Sequence, residues 1–421
     1  MLFNNKSLLL KACGLRCTAV LLLGATAQAQ SDARPAEPGM RDVRQGYERA
    51  DDRARSVILA STDLLQVLAK PPLGLPAIPV PENNPVTTPK VQLGRKLFFD
   101  RRLSANNTLS CAMCHIAAQG FAQNELMTPV GIEGKRVRRN APTLYNVAYL
   151  KRLFLDGREF SLENQVWGPL LAANEMGNLS IGAVIERVER LDDYGQRFQR
   201  AFGQGPDMQT VSLALASYER LLVSGNSAFD RWYFGRPASS FSVAAEHGFE
   251  LFRGKAGCIA CHTISQHFAL FTDNRFHNTG IGFDASMRPG AKRGGVTFVP
   301  GTAEGIRRDL QQTTGTRHFG DLGRYEVSGR PADRWAYRTP TLRNIALTAP
   351  YMHDGSLPTL RDVLLFYNRG GIANQGLDEK IRPLGLHQRE LDDLLRFLQS
   401  LTGSNVDELV VDALAAPIGG G

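Results

Sequence analysis

Along residues 181–202, IGAVIERVERLDDYGQRFQRAF, apolar side chains return at Ile181, Val184, Ile185 and Val188. That spacing places them on one face of a helix. MQTVSLALASYERLLVS (208–224) reads the same way, as does QRELDDLLRFLQSLTG (388–403), where Gly403 supplies the stop. Helical spacing with few breakers predicts one helix over 41–69 and the start of another within 241–256. The seven prolines of residues 70–89 predict an extended, irregular connector. From Gln92 to Phe234 the pattern is predominantly helical, and no alternating run of useful length competes with it. The predicted fold class is mainly α.

A chain of 421 residues with 43% hydrophobic and 21% charged residues has an ordinary globular composition, long enough for two or three domains. Lys6, Lys11 and Arg16, then AVLLLGA and the small-residue pattern Ala27-Gln28-Ala29, form the layout of a signal peptide over 1–29. Its apolar run is too short to span a bilayer, and no later segment is long enough either. The expectation is an exported, periplasmic protein without a membrane span. Loss of three cations and no acidic residue lowers the net charge from +8 to +5. That excess is mild, and no basic cluster with interleaved aromatics points to nucleic acid.

Cleavage would also remove Cys13 and Cys17, leaving four cysteines, all in CAMCH (111–115) and CIACH (258–262). Cys-x-x-Cys-His is the attachment signature of c-type haem. Cys111 and Cys114, and likewise Cys258 and Cys261, would bond the vinyl groups of a haem. His115 and His262 would each ligate an iron. A zinc site needs four clustered ligands, and a redox dithiol has no use for the following histidine. Two covalent haems are therefore expected. A strong second ligand on an iron makes an electron carrier, whereas an open position makes a place for chemistry.

An internal repeat bears on that choice. Residues 142–169 align without a gap on 340–367. Pro142, Thr143, Leu144, Asn146, Ala148, Asp156, Gly157 and Leu162 meet Pro340, Thr341, Leu342, Asn344, Ala346, Asp354, Gly355 and Leu360. Each copy follows one haem motif, which suggests two related haem domains. A long glycine-rich insertion separates His262 from Trp335 in the second. The last aligned pair is Pro169 with Tyr367. Tyrosine can ligate iron as phenolate, and proline has no donor atom. The repeat alone leaves Tyr367 open between ligand and ordinary surface aromatic.

The stretches LGRKLFFDRRLSANNTLSCAMCH, RNAPTLYN, DGR, QVWGPLLAANEM, TPTLRNIALTAPYMHDG and FYNRGG resemble the bacterial di-haem cytochrome c peroxidases and their MauG-like relatives, over roughly 90–405. The resemblance implies two cytochrome-c-like domains in tandem, at 90–235 and 236–405. Before them come an N-terminal helix and Pro-rich connector (30–89), and after them a tail (406–421). It implies that hydrogen peroxide reacts at the N-terminal haem while the C-terminal haem relays oxidising equivalents. It makes His115 and His262 proximal ligands and gives Tyr367 the second iron. Glu175, Gln165 and Pro169 match distal residues of the reactive haem. Asn140, Thr348 and Pro350 match calcium ligands, the last two through carbonyl oxygens, a donor type calcium accepts. His277, in RFHNTG, and His353, in YMHDG, lie in motif-like stretches and are candidate partners of haem propionates or their neighbours.

Two departures stand out. The loop TPVGIEGKRV (128–137) lacks the displaceable histidine of the respiratory enzymes. Leu155 stands where most members have a tryptophan between the haems. Three functions follow. One is a peroxidase fed by a small redox protein, a cytochrome c or cupredoxin. Another is a MauG-like enzyme that oxidises side chains of a protein substrate. The third is a di-haem electron carrier.

Overall fold

The computed structural model describes residues 64–235, 241–287 and 320–416. The expected signal peptide, all but the end of the helix predicted over 41–69, and residues 288–319 of the glycine-rich insertion lie outside these residues. The described end of that helix is a single turn, Gln66–Ala69.

The described chain is mainly helical, as the periodicity predicts, and its helices pack around two hydrophobic clusters. In the first, helix α1 (Thr88–Phe99) crosses α2 (Met208–Arg220). Leu97, Phe98, Val211, Ala214 and Tyr218 are fully buried there. The leucine, phenylalanine and valine among these each contribute about 1.5–3 kcal/mol by leaving water. The crossing is close because Gly94 has no side chain: a Cβ would stand 1.9 Å from Ala214 O. In the second cluster α3 (Val243–Arg253) crosses α5 (Gln388–Gln399), with α4 (Leu360–Asn368) alongside. The same device recurs, for a Cβ on Gly248 would stand 2.0 Å from Asp393 O. Asp207 caps α2 through Thr210 N, Ser242 caps α3 through Ala245 N, and Thr359 caps α4 through Asp362 N. These bonds satisfy amides that a helix start leaves free.

The proline-rich segment before α1 has no regular structure of its own and is tied to both clusters. Tyr149 donates to Pro76 O, Arg220 to Pro79 O, and Asn84 to Leu213 O. Arg343 Nη2 donates to Gly74 O at 2.6 Å. Its guanidinium also meets both carboxylate oxygens of Asp230 at 2.8 Å, and the two side chains are 1% and 0% exposed.

Residues 406–416, read from sequence as part of a tail, contain helix α6 (Val406–Leu414). It leaves the second cluster and returns to the first, where Leu409 and Ala413 are buried. Asp412 pairs there with Arg95 of α1 at 2.6 Å. Val406, Leu409 and Ala413 carry the helical spacing that packs this face. A two-residue antiparallel ribbon pairs Phe276–His277 with Tyr337–Arg338 and closes the ends of the insertion.

The two aligned segments share unusual backbone detail. Asn146 and Asn344 have φ of 64° and 59°, and Phe154 and Met352 of 60° and 72°. Isolated bridges join Leu153 to Glu159 and Tyr351 to Leu357, at aligned positions.

Candidate functional site

Cys111–Cys114 forms one helical turn, and His115 N bonds Cys111 O at 2.9 Å. This turn presents both sulfurs and the histidine from a short stretch of chain. His115 Nδ1 donates to Phe121 O at 3.0 Å, and His262 Nδ1 to Phe271 O at 2.8 Å. A carbonyl only accepts, so the proton of each neutral ring sits on Nδ1 and Nε2 keeps its lone pair for a metal. Burial lowers the pKa of both histidines and keeps them neutral. The turn of chain that supplies each carbonyl is also matched. Phe121 and Phe271 both have φ of 51°, a left-handed conformation. Thr143 Oγ1 bonds Gly120 O at 2.6 Å and Thr341 Oγ1 bonds Leu270 O at 2.8 Å. Sequence reasoning passed over these four residues, although both threonines are identities of the repeat.

All four cysteines of the motifs are free and partly buried. Burial pushes the thiols of Cys114 and Cys258 up to about 12, which marks both sites as apolar. Paired sulfurs, a histidine with a free Nε2 and apolar walls fit a covalently held haem at each motif.

Around the first motif, Gln165 ends the helix Leu162–Gln165 and Pro169 lies in Trp167–Leu171. Glu175 follows in the next turn, its amide bonded to Ala172 O. The three residues thus sit on one continuous segment, and loop 128–137 packs upon it. Ile132 N donates to Glu175 O at 3.0 Å, and Asn174 Nδ2 to Arg136 O at 2.9 Å. A Cβ on Gly131 would stand 2.0 Å from Asn174 O. Burial raises the pKa of Glu175, and the cation of Arg158 opposes the rise. The Glu175 charge acts in turn on Cys111 and Cys114, so its carboxyl lies within electrostatic reach of the first attachment site. Trp167 is buried in the first core.

The second motif opens onto a cavity of about 280 Å³. Cys258, Cys261, His262, Tyr367 and Leu155 line it, and so do Asn140, Thr348 and Pro350. Burial raises the Tyr367 pKa, with the Cys258 and Cys261 sulfurs adding to the rise. A ferric ion is the kind of partner that would offset this cost. Asn140 Nδ2 donates to Met127 O at 2.9 Å, leaving Oδ1 for a cation. Among the described residues no hydrogen bond reaches the carbonyls of Thr348 or Pro350. This all-oxygen set fits calcium chemistry.

His277 is not free for a propionate: Nδ1 meets Asp378 Oδ2 at 2.5 Å and Nε2 meets Asp273 Oδ2 at 2.9 Å. The Cys261 sulfur and these two carboxylates hold its pKa up at about 9 against the cost of burial. Cys261, Asp273 and His277 lie within metal-binding distance of one another, but the Cys-x-x-Cys-His signature assigns that sulfur to a haem. His353 stacks on Tyr337 at 3.7 Å, and its carbonyl accepts from Asn140 N at 2.7 Å.

Residues 88–238 match the family described as di-haem cytochrome c peroxidase, and residues 336–370 a RoxA-like, cytochrome c-like family. The chain belongs to the di-haem cytochrome c peroxidase and MauG family, whose members are haem-dependent oxidoreductases. It is 37% identical over 338 residues to cytochrome-c peroxidase IdrP1 of Denitromonas iodatirespirans, covering 79% of this chain and 86% of that one. It is 36% identical over 327 residues to methylamine utilization protein MauG of Methylorubrum extorquens, covering 77% and 81%. Among solved structures, a MauG-like protein associated with microbial copper homeostasis superposes with a TM-score of 0.64 at 30% identity, covering 80% and 96%. The di-haem peroxidase BthA of Burkholderia thailandensis gives 0.61 at 26%, covering 76% and 87%. Among the described residues no helix is long and apolar enough to cross a membrane.

Proposed function

We propose that this protein is a periplasmic di-haem peroxidase. It reduces hydrogen peroxide at the haem of Cys111, Cys114 and His115 and passes oxidising equivalents through the haem of Cys258, Cys261 and His262. The observation that carries this reading is an asymmetry within a matched pair of sites. Both histidines are held alike by a phenylalanine carbonyl. At the aligned place on the other side, one site has Pro169 and the other Tyr367. His115 would then be the one protein residue to hold the first iron, whereas His262 and Tyr367 would both hold the second. A plain electron carrier would close both.

The two haems lie in tandem domains, 90–235 and 236–405, that descend from one repeat; the matched backbone at Asn146/Asn344 and Phe154/Met352 supports this. A signal peptide over 1–29 sends the chain to the periplasm. Calcium binds Asn140, Thr348 and Pro350 beside the second haem.

Bound haem supplies the iron and the electrons for O–O cleavage. Residues of this chain manage the protons. Glu175, as carboxylate, takes the proton of the inner peroxide oxygen and delivers it to the outer oxygen, which leaves as water. Its burial makes it a better proton holder than an exposed carboxylate. Gln165 would donate a hydrogen bond to the peroxide, and Pro169 would offer no donor atom to compete with it.

A second reading, in which peroxide is used to oxidise side chains of a partner protein as in a MauG-like enzyme, is favoured by Tyr367 and by the missing histidine in loop 128–137. A cytochrome c or cupredoxin donor belongs to the first reading. Both readings predict that the fully oxidised protein reacts with peroxide directly, because no ligand need be displaced. Mixing diferric protein with peroxide and following the haem spectrum on the millisecond scale tests this. A resting spectrum without high-spin haem, and no reaction until reductant is added, would overturn it. Turnover with candidate donors then separates the two readings.

A further inference from the structure

Arg338 is 4% exposed and lines the cavity of the second haem motif. Its Nη1 reaches Thr339 O at 3.2 Å and its Nε reaches Phe154 O at 3.3 Å. Among the described residues no carboxylate pairs with it. Its buried neighbours do better: Arg139 meets Asp156 and Asp321, and Arg343 meets Asp230. Burial alone pulls the Arg338 pKa down to about 10, with no anion opposing it. A guanidinium shut away from water without a counter-ion is strongly disfavoured. The missing anion must therefore enter from the cavity.

The cavity itself limits what that anion is. Cys258 and Cys261 hold the vinyl edge of the haem, and a haem carries its two carboxylates on the opposite edge. His277 sits at the vinyl edge against Cys261, and both its nitrogens are occupied. Lys380 and Arg382 also line the cavity, but they are exposed and solvated. Arg338 is the buried cation there without a carboxylate, and guanidinium matches carboxylate with two parallel hydrogen bonds.

We propose, on the di-haem reading above, that Arg338 is the counter-ion of a propionate of the second haem and ties that propionate to the Phe154–Leu155 peptide. Arg338 N donates to Leu155 O at 2.8 Å, and Nε bonds the preceding carbonyl. The ring of Phe154 lies against Gly168, where a Cβ would stand 2.8 Å from Cζ. Gly168 adjoins Pro169 of the first site. A short route therefore runs from the edge of the second haem through Arg338 and Phe154 to the first. It passes beside Leu155, the position whose side chain offers no aromatic ring. Arg338 is a positioning residue in this scheme.

The test uses the exported, haem-loaded full chain with Arg338→Met and Arg338→Lys. Loss of a cation beside the haem stabilises ferric over ferrous iron. In Arg338→Met the ferric-to-ferrous ratio of the second haem at fixed potential should rise at least about tenfold, equivalent to about 59 mV for one electron. Arg338→Lys should stay within about threefold of wild type. The propionate bending band in resonance Raman should shift in the Met variant, and transfer between haems after peroxide addition should slow. Two covalent haems by mass with unchanged potential and Raman band in Arg338→Met would overturn the proposal. If that variant loses the second haem, the Lys variant decides: a tenfold shift there, despite the retained charge, also overturns it. Wild-type protein with no haem mass on Cys258 and Cys261 would instead refute the di-haem reading itself.

Discussion

On the proposed mechanism, Glu175→Gln removes the proton acceptor and changes little else. The main-chain bonds that hold residue 175, to Ala172 O and from Ile132 N, do not involve its side chain. Glutamine has nearly the same shape, so the distal segment and loop 128–137 should keep their packing. Loss of a positioned general acid–base slows the chemical step by about 10²–10⁴. At about 1.36 kcal/mol per decade this is roughly 3–5 kcal/mol of barrier. The pH profile gives a second reading. Glu175 must be ionised to take the inner proton, and burial raises its pKa above 4.5. Wild-type rates should therefore climb with pH through a midpoint above that value, and the variant should lack this limb. Stopped-flow mixing of diferric protein with peroxide across a pH series measures both. A variant rate within about threefold of wild type, or a surviving acid limb, would remove Glu175 from the chemistry.

Three further outcomes are expected. Burial holds the Glu219 carboxyl up at about 8, although Arg220 opposes the rise. The folded state then keeps a proton that the unfolded chain loses near 4.5, so stability falls as pH rises from about 4.5 to about 8 and levels off above. Glu219→Gln should flatten that window, on the order of 2–4 kcal/mol in urea unfolding between pH 5 and 9, and an unchanged slope would count against it. Arg343→Met strands the fully buried Asp230 and should cost about 3–5 kcal/mol, with a markedly lower Tm; a loss under about 1 kcal/mol would show that Asp230 finds other partners. Metal analysis after calcium loading and gel filtration should find bound calcium, less of it in Asn140→Ala; no calcium in wild type would end that assignment.

Features whose chemistry is local were legible in the chain. Cys-x-x-Cys-His works within one helical turn, so its spacing alone points to both attachment sites. The faces of α3 and α5 repeat at helical spacing, and the structure forms them at Val243–Arg253 and Gln388–Gln399, inside the predicted stretches. The gapless repeat sets Pro169 against Tyr367 from sequence alone. Helix α6 was equally visible in its spacing, but a terminal stretch following a glycine stop reads as a tail until its partner is seen. That partner, the surface of α1 at Arg95, is 317 residues away. The same distance in sequence hid the rest. His277 looks like a free histidine until folding brings Asp378, 101 residues on, to its Nδ1. Arg338 looks like any arginine until burial removes water and supplies no carboxylate. Phe121 and Phe271 orient His115 and His262 through carbonyls, which every residue has, and through a left-handed turn that their side chains do not announce. Side-chain type and short spacing are written along the chain, whereas the dielectric around a charge and the partner across a cavity come into being only when distant segments meet.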